Sequence, residues 1–323
     1  MNNCVTFAFF SQRARKKFSY KFDNYLPQFK MREIFVVVIS ILMVACSSKE
    51  QSNSRSDEFL PGVKLAALNN KELKEISGIA ASVKNPKMLW AHNDSGNGAD
   101  IFLLDDHLDV KLTCTLAGIE NRDWEDIAVG PGPDASKSYV YVADIGDNES
   151  QYQYKYIYRF EEPALNNTQS MKITISSFDR ITFQLSDARK DTETLLLDPR
   201  TRNLYVVSKR EEPVCLYELK YPYPQGDTLV AEKVLTLPFT QIVGGDFSAD
   251  GQEILMKNYT QVYYWNSSSK SITDLLKESP LEIPYETEPQ GESIAWATDG
   301  SGFYTLSEEK KKEKSYLYFY KRK

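Results

Sequence analysis

The chain has 323 residues, of which 41% are apolar, with 39 Lys and Arg against 45 Asp and Glu. This composition is too hydrophobic and too mixed in charge for a disordered chain, and it is sufficient for one large core. The net charge of −6 argues against a nucleic-acid polymer as partner, because such a partner requires a basic face. Aromatic residues make up 12% of the chain, and β-strands favour aromatic residues.

The first 45 residues differ from the rest. They carry seven Lys or Arg and two acidic residues, whereas the remaining 278 carry 32 basic and 43 acidic side chains, a formal charge of −11. Residues 34–45 are apolar and uncharged, too short a run for a membrane span of ~20 residues but typical of a secretory signal. A buried core helix is the alternative. We predict a signal region over residues 1–45, of which residues 1–30 are a mis-called extension if the chain starts at Met31.

Small residues precede Cys46, and a polar tract follows it. This arrangement resembles the lipobox of bacterial lipoproteins, in which the cysteine becomes the first mature residue and carries the lipid. The resemblance implies lipidation at Cys46 and a flexible lipidated tether over residues 46–60. It also implies a bacterial cell-envelope location, at the outer membrane, with the lipid anchor as the only membrane contact.

From residue 61 onward, short apolar runs alternate with turns rich in Gly, Pro, Asn and Asp. Five segments share one pattern of a first strand, a turn and a second strand. The aligned positions are Ser77, Glu125, Glu193, Gly245 and Glu292, which are 48, 68, 52 and 47 residues apart. Repeats of ~40–50 residues with four strands each are typical of propeller blades. We therefore predict an all-β fold, a five-bladed β-propeller over residues 61–323, and expect a monomer.

The last repeat has room for only three strands, and residues 63–68 are a candidate for its fourth. Pairing of this N-terminal strand with the last blade closes the ring and leaves no sheet edge open. The 68-residue spacing implies an insertion around residues 161–180, expected as a longer hairpin over one edge. A sandwich or a six-bladed ring is the alternative architecture.

The first strand of each blade lines the central channel of a propeller, so the aligned positions are expected to meet near its axis. Three glutamates that lie close together either take up protons or hold a cation. Calcium suits the second solution because it accepts six to eight oxygen ligands. Zinc is not expected, since Cys114 and Cys215 lie in separate apolar strand patterns that predict buried free thiols. Alternatively, the glutamates face water or pair with Lys and Arg.

The order Ser, Glu, Glu, small residue, Glu at these positions resembles the calcium-activated nucleotidases (apyrases), which are five-bladed propellers with one central calcium. The resemblance implies calcium ligands at Ser77, Glu125, Glu193 and Glu292. The family has a serine where this chain has Gly245, so water, a carbonyl or Asp246 has to supply that ligand. The strand starts are also similar, more distantly, to those of the gluconolactonase and phytase-like propellers.

The ends of the second strands carry acids, amides and cations, and topology places them on the same face as the starts of the first strands. Cations beside calcium suit a phosphate ester, and an acid can orient a water for attack. The candidates for the catalytic acid are Asp94 and Asp144. The candidate ligand-binding residues are His92, Asn93, Asn148, Lys209, Arg210 and Lys257. Turn chemistry is the alternative explanation for such residues. Residues 93–96 also occupy the place of an Asp-Arg-Thr-Gly stretch in the apyrases, without its arginine.

We therefore predict a cell-envelope lipoprotein whose calcium-binding propeller binds a small anionic ligand. If the protein is an enzyme, the expected reaction is calcium-dependent hydrolysis of a phosphate ester or nucleotide. The alternative is a non-catalytic binding module for a glycan or a protein, with a purely structural cation.

Overall fold

The computed structural model describes residues 58–166, 170–310 and 313–323. The chain divides into two units, residues 1–52 and 53–323, and every described residue belongs to the second. The predicted signal region, Cys46 and most of the predicted tether lie outside the described residues. Within the described residues, none of the helices has the length and apolar character that a membrane span requires.

The described chain is almost entirely β-structure, as the sequence predicts. Its helices are a 3-10 turn at Lys71–Leu73 and one α-helix, α1, at Ile272–Leu275. Glycines shape two of the turns between first and second strands, where Gly251 and Gly300 have φ angles of 69° and 70°. Only glycine adopts this left-handed conformation without a steric cost, so the Asp-Gly pairs in the sequence mark these turns correctly.

The first repeat forms an antiparallel sheet with one added strand. Its strands are β2 (Ile76–Ala81), β3 (Leu89–Asn93), β4 (Asp100–Leu104), β5 (Val110–Leu116) and β9 (Met171–Ile175). Strand β9 comes from the long insertion and pairs in parallel with β5. The insertion was expected as a hairpin, but it supplies a single strand that covers the outer edge of the first sheet.

The second and third repeats form one continuous sheet of eight strands. The second repeat supplies β6 (Trp124–Pro131), β7 (Ser138–Asp144), β8 (Lys155–Glu161) and β10 (Asp179–Leu185), and the third supplies β11 (Thr192–Leu197), β12 (Leu204–Ser208), β13 (Val214–Leu219) and β14 (Thr228–Leu237). The two sets of four meet where β10 pairs in parallel with β14. Because two repeats share a sheet, the count of five blades stays a prediction.

The last two repeats form separate four-stranded sheets. One contains β15 (Gly244–Phe247), β16 (Glu253–Lys257), β17 (Val262–Asn266) and β18 (Leu281–Ile283), and the other contains β19 (Ser293–Trp296), β20 (Gly302–Leu306), β21 (Tyr316–Lys321) and β1 (Val63–Ala67). Strand β1 pairs antiparallel with β21, so the N-terminal strand completes the last sheet as the sequence predicts.

The first strands of the five repeats form a closed ring. Strands β2, β6, β11, β15 and β19 contact one another in this order, and β19 also contacts β2. All five begin at the same end of the ring, which we call the mouth. Since each second strand is antiparallel to its first strand, the second strands end at the mouth as well.

Apolar side chains fill the spaces between neighbouring repeats. In the described chain there are five such clusters, which contain, for example, Trp90 with Trp124, Ile157 with Tyr217, Val207 with Met256, Tyr264 with Trp296, and Phe102 with Ala295. Each pair joins one repeat to the next, and the last joins the fifth repeat to the first. Cys114 and Cys215 are buried free thiols in two of these clusters, as predicted.

Phe59 extends the domain beyond the start that the sequence suggested. It falls within the predicted tether, yet it is 1% exposed and forms an isolated bridge with Arg322. Its ring contacts Phe303 at 5.2 Å, Tyr264 at 5.5 Å and Trp296 at 5.9 Å between centroids. This aromatic cluster fixes the segment that leads into β1.

We expect Phe59→Ala to lower the free energy of unfolding by about 3–5 kcal/mol, because it removes a buried ring and leaves a cavity. Val63→Ala is the control, since Val63 lies in β1 but is 60% exposed, and its effect should stay within about 0.5 kcal/mol. Urea denaturation of both variants measures the difference. Equal stability of the two variants would show that Phe59 does not fasten the N-terminal strand.

Candidate metal centre

The three glutamates aligned by the repeat are all buried at the mouth. Glu125 and Glu193 are the second residues of β6 and β11, and Glu292 directly precedes β19. Their exposed fractions are 4%, 2% and 4%. The charge of Glu193 raises the pKa of Glu125, and the charge of Glu292 contributes to the raised pKa of Glu193. These glutamates therefore do not face water, whereas the other alternative, pairing with Lys or Arg, describes Glu193 and Glu292, which both lie near Lys209.

A β-bulge sets the direction of two of these carboxylates. Trp124 pairs with Asp144 and Asp126 pairs with Ala143, so Glu125 is an extra residue without a partner on β7. The same irregularity occurs in three first strands, where the extra residues are Ser77, Glu125 and Glu193. Bulges turn a side chain out of the regular alternation and are common beside functional sites.

Two groups of three carboxylates meet at the mouth. One contains Asp94, Asp123 and Glu125, and the other contains Glu125, Asp191 and Glu193. Within each group, one carboxylate oxygen per residue lies within 4.8 Å of the others. Glu125 belongs to both, so five carboxylates form one cluster, which we call the carboxylate cluster.

Asp123 and Asp191 were not identified from the sequence. Each precedes an aligned glutamate by two positions, in Asp123-Trp124-Glu125 and Asp191-Thr192-Glu193. The two aspartates are equivalent in the fold, because the Asp123 carbonyl accepts a hydrogen bond from Gly146 N–H and the Asp191 carbonyl accepts one from Lys209 N–H. The repeated Asp-x-Glu pattern is the signal that could have revealed them.

Burial and mutual repulsion destabilise the charged form of the cluster, so its carboxylates favour binding a proton or a cation. Desolvation, followed by the charge of Glu193, raises the pKa of Glu125 well above its usual value. Desolvation also raises the pKa of Glu193 to about 7 and that of Asp94 to about 6. The pKa of Asp123 is raised as well, by desolvation and then by the charge of Asp191.

Lys209 supplies one positive charge at the edge of the cluster. Its Nζ lies 2.9 Å from Glu193 Oε1 and 3.9 Å from Glu292 Oε1. Desolvation opposes this charge, but Glu193, Tyr259 and Glu292 together outweigh it and raise the pKa of Lys209. Tyr259 donates its hydroxyl to Glu292 Oε1 at 2.7 Å, and its ring lies 5.6 Å from the Lys209 ammonium.

The residues present fit a hard divalent cation. Every member of the carboxylate cluster offers oxygen, the donor that calcium and magnesium prefer. The side chains of Glu125 and Glu193 interact directly, and this contact contributes to the raised pKa of Glu125, so the two carboxylates need a proton or a cation between them. A Cβ atom at Gly146 would lie 2.2 Å from Glu125 Oε1 and 2.5 Å from Asp123 Oδ2, so only glycine leaves room here.

Two of the predicted metal ligands lie outside both groups of carboxylates. Ser77 donates its hydroxyl to the Glu125 carbonyl at 2.7 Å and thereby joins β2 to β6. The Glu292 carboxylate accepts a hydrogen bond from the Tyr259 hydroxyl and lies 3.9 Å from the Lys209 ammonium. The structure thus brings together Glu125 and Glu193 from the predicted set, and it adds Asp94, Asp123 and Asp191.

Arg210 and Lys257, the other two basic residues predicted to bind the ligand, also interact with groups of the protein itself. Arg210 Nε lies 2.7 Å from Asp191 Oδ2, and its guanidinium also donates to the side-chain oxygen of Asn148. The Arg210 side chain is 46% exposed, so these two residues lie together at the rim of the mouth. Lys257 is fully buried and donates to the Gly291 carbonyl, and desolvation lowers its pKa to about 8.

His92 and Asn93 are held in the interior of the first repeat. His92 is 0% exposed, its ring lies edge-on to Trp124, and its Nδ1 is 3.0 Å from the Asn93 carbonyl. Desolvation lowers the pKa of His92 to about 4, so the ring is neutral at pH 7. Asn93 donates from Nδ2 to the Glu72 carbonyl at 2.7 Å. Both side chains thus make these polar contacts to backbone carbonyls and belong to neither group of cluster carboxylates.

The two predicted catalytic acids have different surroundings. Asp94 belongs to the carboxylate cluster and accepts a hydrogen bond from Ser95 N–H at 2.5 Å. Asp144 is paired with Arg122, whose Nε lies 3.2 Å from Oδ1, and Tyr158 donates its hydroxyl to Oδ2 at 3.4 Å. Desolvation raises the pKa of Asp144 to about 6. Only Asp94 is therefore positioned to act at the cluster.

A cavity of about 490 Å³ lies at the opposite end of the ring. Small and apolar residues near the ends of the first strands line it, including Ala80, Ala128, Leu197 and Phe247. Both carboxylate oxygens of Asp246, which also borders the cavity, already accept backbone N–H groups at 2.8 Å. Lys84 and Lys137 also line the cavity, but both pair with Glu161. Buried acids converge at the mouth instead, and we therefore take the mouth as the candidate site.

No protein-family model matches this chain, and no curated protein matches it. Among solved structures, the chain is similar to a gluconolactonase from Xanthomonas campestris, with 12% sequence identity and a TM-score of 0.43. The similarity covers 77% of this chain and 72% of that one. A likeness this weak carries no argument about the reaction or the metal, and the resemblance to apyrases stays a prediction.

In the presence of chelator, we expect the free energy of unfolding to fall as the pH rises from about 6 to about 8. Glu193 has a pKa of about 7 in the folded protein, whereas glutamate in an unfolded chain titrates near about 4.3, so its stabilising contribution is lost as the pH rises through the folded value. His92 opposes this trend only at the lower end of the range, where histidine in the unfolded chain still binds a proton, because its folded pKa is about 4.

Thermal melting across this pH range measures the effect. Glu193→Gln should reduce the slope, whereas Glu232→Gln, a change at an exposed residue of β14, should leave it unchanged. A stability that stays level or rises with pH would contradict the strained carboxylate cluster.

Proposed function

We propose that this protein is a calcium-binding, five-bladed β-propeller of the bacterial cell envelope that binds a small anionic ligand at its mouth and hydrolyses a phosphate ester. The observation that carries the proposal is the carboxylate cluster, in which Glu125 is shared between two groups of buried acids. The monomeric state, the lipid at Cys46 and the outer-membrane location are parts of the same proposal.

The five-blade count is supported by the closed ring and by the packing between repeats. Five first strands contact one another in sequence order, and five apolar clusters fill the spaces between successive repeats. The parallel pairing of β10 with β14 then joins the outer edges of two neighbouring blades. This pairing covers two edges that would otherwise be open to other chains.

Calcium is favoured over magnesium by the shape of the donor set. The five carboxylates come from three segments of chain, one at Asp94, one at Asp123 and Glu125, and one at Asp191 and Glu193, and they mix aspartate with the longer glutamate. Calcium tolerates such irregular sets of six to eight oxygens, whereas magnesium requires a near-octahedral arrangement and keeps several of its waters. When bound, calcium would supply Lewis-acid activation of a phosphoryl oxygen.

The chain's own residues supply the remaining requirements of phosphate-ester hydrolysis. Asp94 is at the cluster, where its carboxylate can accept a proton from an attacking water. Arg210 and Asn148 lie at the rim, where a guanidinium and an amide can hold an anionic ligand. Lys209 lies between these two sets of residues and carries the positive charge closest to Glu193.

A non-catalytic binding module is the second candidate function, and one observation favours it. Lys209, Arg210 and Lys257 are all engaged within the protein, two by carboxylates and one by a carbonyl. A cation that only stabilises the ring leaves these contacts undisturbed. The ligand at the rim would then be a glycan or a protein.

The position of Phe59 supports a mouth that faces away from the membrane. Phe59 pairs with Arg322, whose N–H donates to the Ser301 carbonyl in the turn after β19. First strands begin at the mouth, so this turn lies at the opposite end of the ring. A tether that runs from Cys46 to this end would leave the carboxylate cluster accessible to solutes.

Calcium should raise the thermal stability of the protein, because it binds only the folded state. At a concentration a hundred times its Kd, the free energy of unfolding should increase by about 2.7 kcal/mol. Glu125→Gln should remove most of this increase, whereas Glu232→Gln makes the same chemical change at an exposed site and should keep it. Melting curves with calcium and with chelator provide the measurement. Identical curves for the unsubstituted protein under the two conditions would refute the calcium site.

Hydrolysis should depend on Asp94. We expect turnover of p-nitrophenyl phosphate, bis-p-nitrophenyl phosphate or a nucleoside triphosphate in calcium, and a loss of about 10²–10⁴-fold in kcat in Asp94→Asn. Asp106→Asn is the matched control, because Asp106 is exposed in the turn after β4. If the unsubstituted protein turns over none of these esters although calcium stabilises it, the binding module is the better account.

A further inference from the structure

The Lys209 ammonium occupies a place where a metal ion would compete with it. The Nζ lies 2.9 Å from Glu193 Oε1, and Glu193 is one of the five members of the carboxylate cluster. The Lys209 residue is 9% exposed, so water screens this ion pair poorly. Glu193 therefore already has a cationic partner before any metal arrives.

We propose that Lys209 competes with the metal for Glu193, and that metal binding frees the Lys209 ammonium to hold the anionic ligand. The cation and the anion then bind cooperatively, through a single side chain. This inference rests on the proposed metal site and adds a regulatory role for a residue that lies outside the set of oxygen ligands.

Simultaneous occupation of Glu193 by both cations is unfavourable. Calcium binds carboxylate oxygens at about 2.3–2.6 Å. A metal ion at that distance from Glu193 would lie within a few ångströms of the ammonium, and like charges repel strongly at such separations in a buried site. The metal must therefore displace Lys209 from Glu193 to use this ligand.

After displacement from Glu193, the Lys209 ammonium has other interaction partners at the mouth. Glu292 Oε1 lies 3.9 Å from Nζ, and the Tyr259 ring lies 5.6 Å away and can stabilise a cation over its face. Glu292 belongs to neither group of cluster carboxylates, so the metal does not need it. The ammonium thus loses its closest partner and turns towards the ligand.

The neighbouring cations are bound differently and do not share this role. Lys257 donates to the Gly291 carbonyl and touches no cluster carboxylate. Arg210 pairs with Asp191, but its side chain is 46% exposed and also holds Asn148. Lys155 is also buried, but its ammonium donates to the Ile145 carbonyl. Among the described residues, only Lys209 combines a buried ammonium with an ion pair to a cluster carboxylate.

Thermodynamic linkage makes the coupling measurable from either side. If the metal raises the affinity for the anion by some factor, the anion must raise the affinity for the metal by the same factor. Such factors are typically about 5–150-fold. Without the Lys209 charge, the metal should bind more tightly and the coupling should disappear.

Isothermal titration of the metal-free protein with calcium tests the competition. We expect Lys209→Met to lower the Kd for calcium by about tenfold or more, a factor within the usual range of coupling. Lys190→Met is the matched control, because Lys190 is in the same repeat but pairs with Asp187 and Glu211 outside the cluster. An unchanged or weaker affinity in Lys209→Met, with the unsubstituted protein binding calcium, would overturn the competition.

Inorganic phosphate, kept below the solubility limit of its calcium salt, tests the coupling. Phosphate should tighten calcium binding to the unsubstituted protein and to Lys190→Met by at least about fivefold, and should have no effect in Lys209→Met. An equal effect of phosphate in all three proteins would assign the anion site to other residues and overturn the proposed role of Lys209.

A measurement on the unsubstituted protein covers the case in which Lys209→Met does not fold. Labelling with an amine-reactive reagent, with mass-spectrometric readout, should increase several-fold at Lys209 when calcium is added. Lys220, whose side chain is 78% exposed, serves as the internal control and should not change. If calorimetry shows calcium binding but Lys209 labelling stays constant, Lys209 is not displaced and the inference is wrong. If the unsubstituted protein binds no calcium at all, the proposed metal site fails and this inference fails with it.

Discussion

The hydrogen bonds between neighbouring first strands are the constraint on which the rest of this structure depends. The inner edge of each first strand has no strand partner in its own sheet, and buried N–H groups require acceptors. Asp126 and Asp246 accept N–H groups of the next repeat, from Leu195 and Trp296, both at 2.8 Å. Serine hydroxyls make the corresponding bridges at β2 and β19. These short links fix the spacing of the ring, and the spacing brings the carboxylates together.

The carboxylate cluster is the electrostatic consequence of that spacing. Desolvation raises the pKa of Glu125 and Glu193, and each also feels the negative charge of neighbouring acids. A fold that needed only stability would place apolar side chains here, because buried charges without partners are costly. The cluster therefore opposes folding in the absence of a counter-ion, and this opposition is the physical basis of the proposed calcium site.

Lys209 and the metal are two solutions to one problem of charge. The ammonium reduces the repulsion around Glu193 when no metal is bound, and a divalent cation reduces it further. In the proposed competition, the Lys209 ammonium and the metal cannot both bind Glu193. Lys209, which stabilises the metal-free protein, would then also lower the affinity for the metal. In the proposed coupling, the same exclusion would link metal binding to binding of the anionic ligand, since the ammonium would gain freedom only when a metal takes its place.

The sequence by itself determined the repeating strands, the closing strand β1 and the burial of both cysteines, because alternation and turn residues act locally and recur in every repeat. It also identified Glu125 and Glu193 as members of a cluster. The repeated Asp-x-Glu pattern points to Asp123 and Asp191, but only the tertiary structure decided that they join the cluster, because membership depends on how the first strands, with their bulges at Glu125 and Glu193, approach one another across the ring. The tertiary structure also decided that His92 is buried in the interior and that Lys209 forms an ion pair with Glu193. Such choices depend on which repeats become neighbours across the ring, and a single strand's sequence does not contain that information.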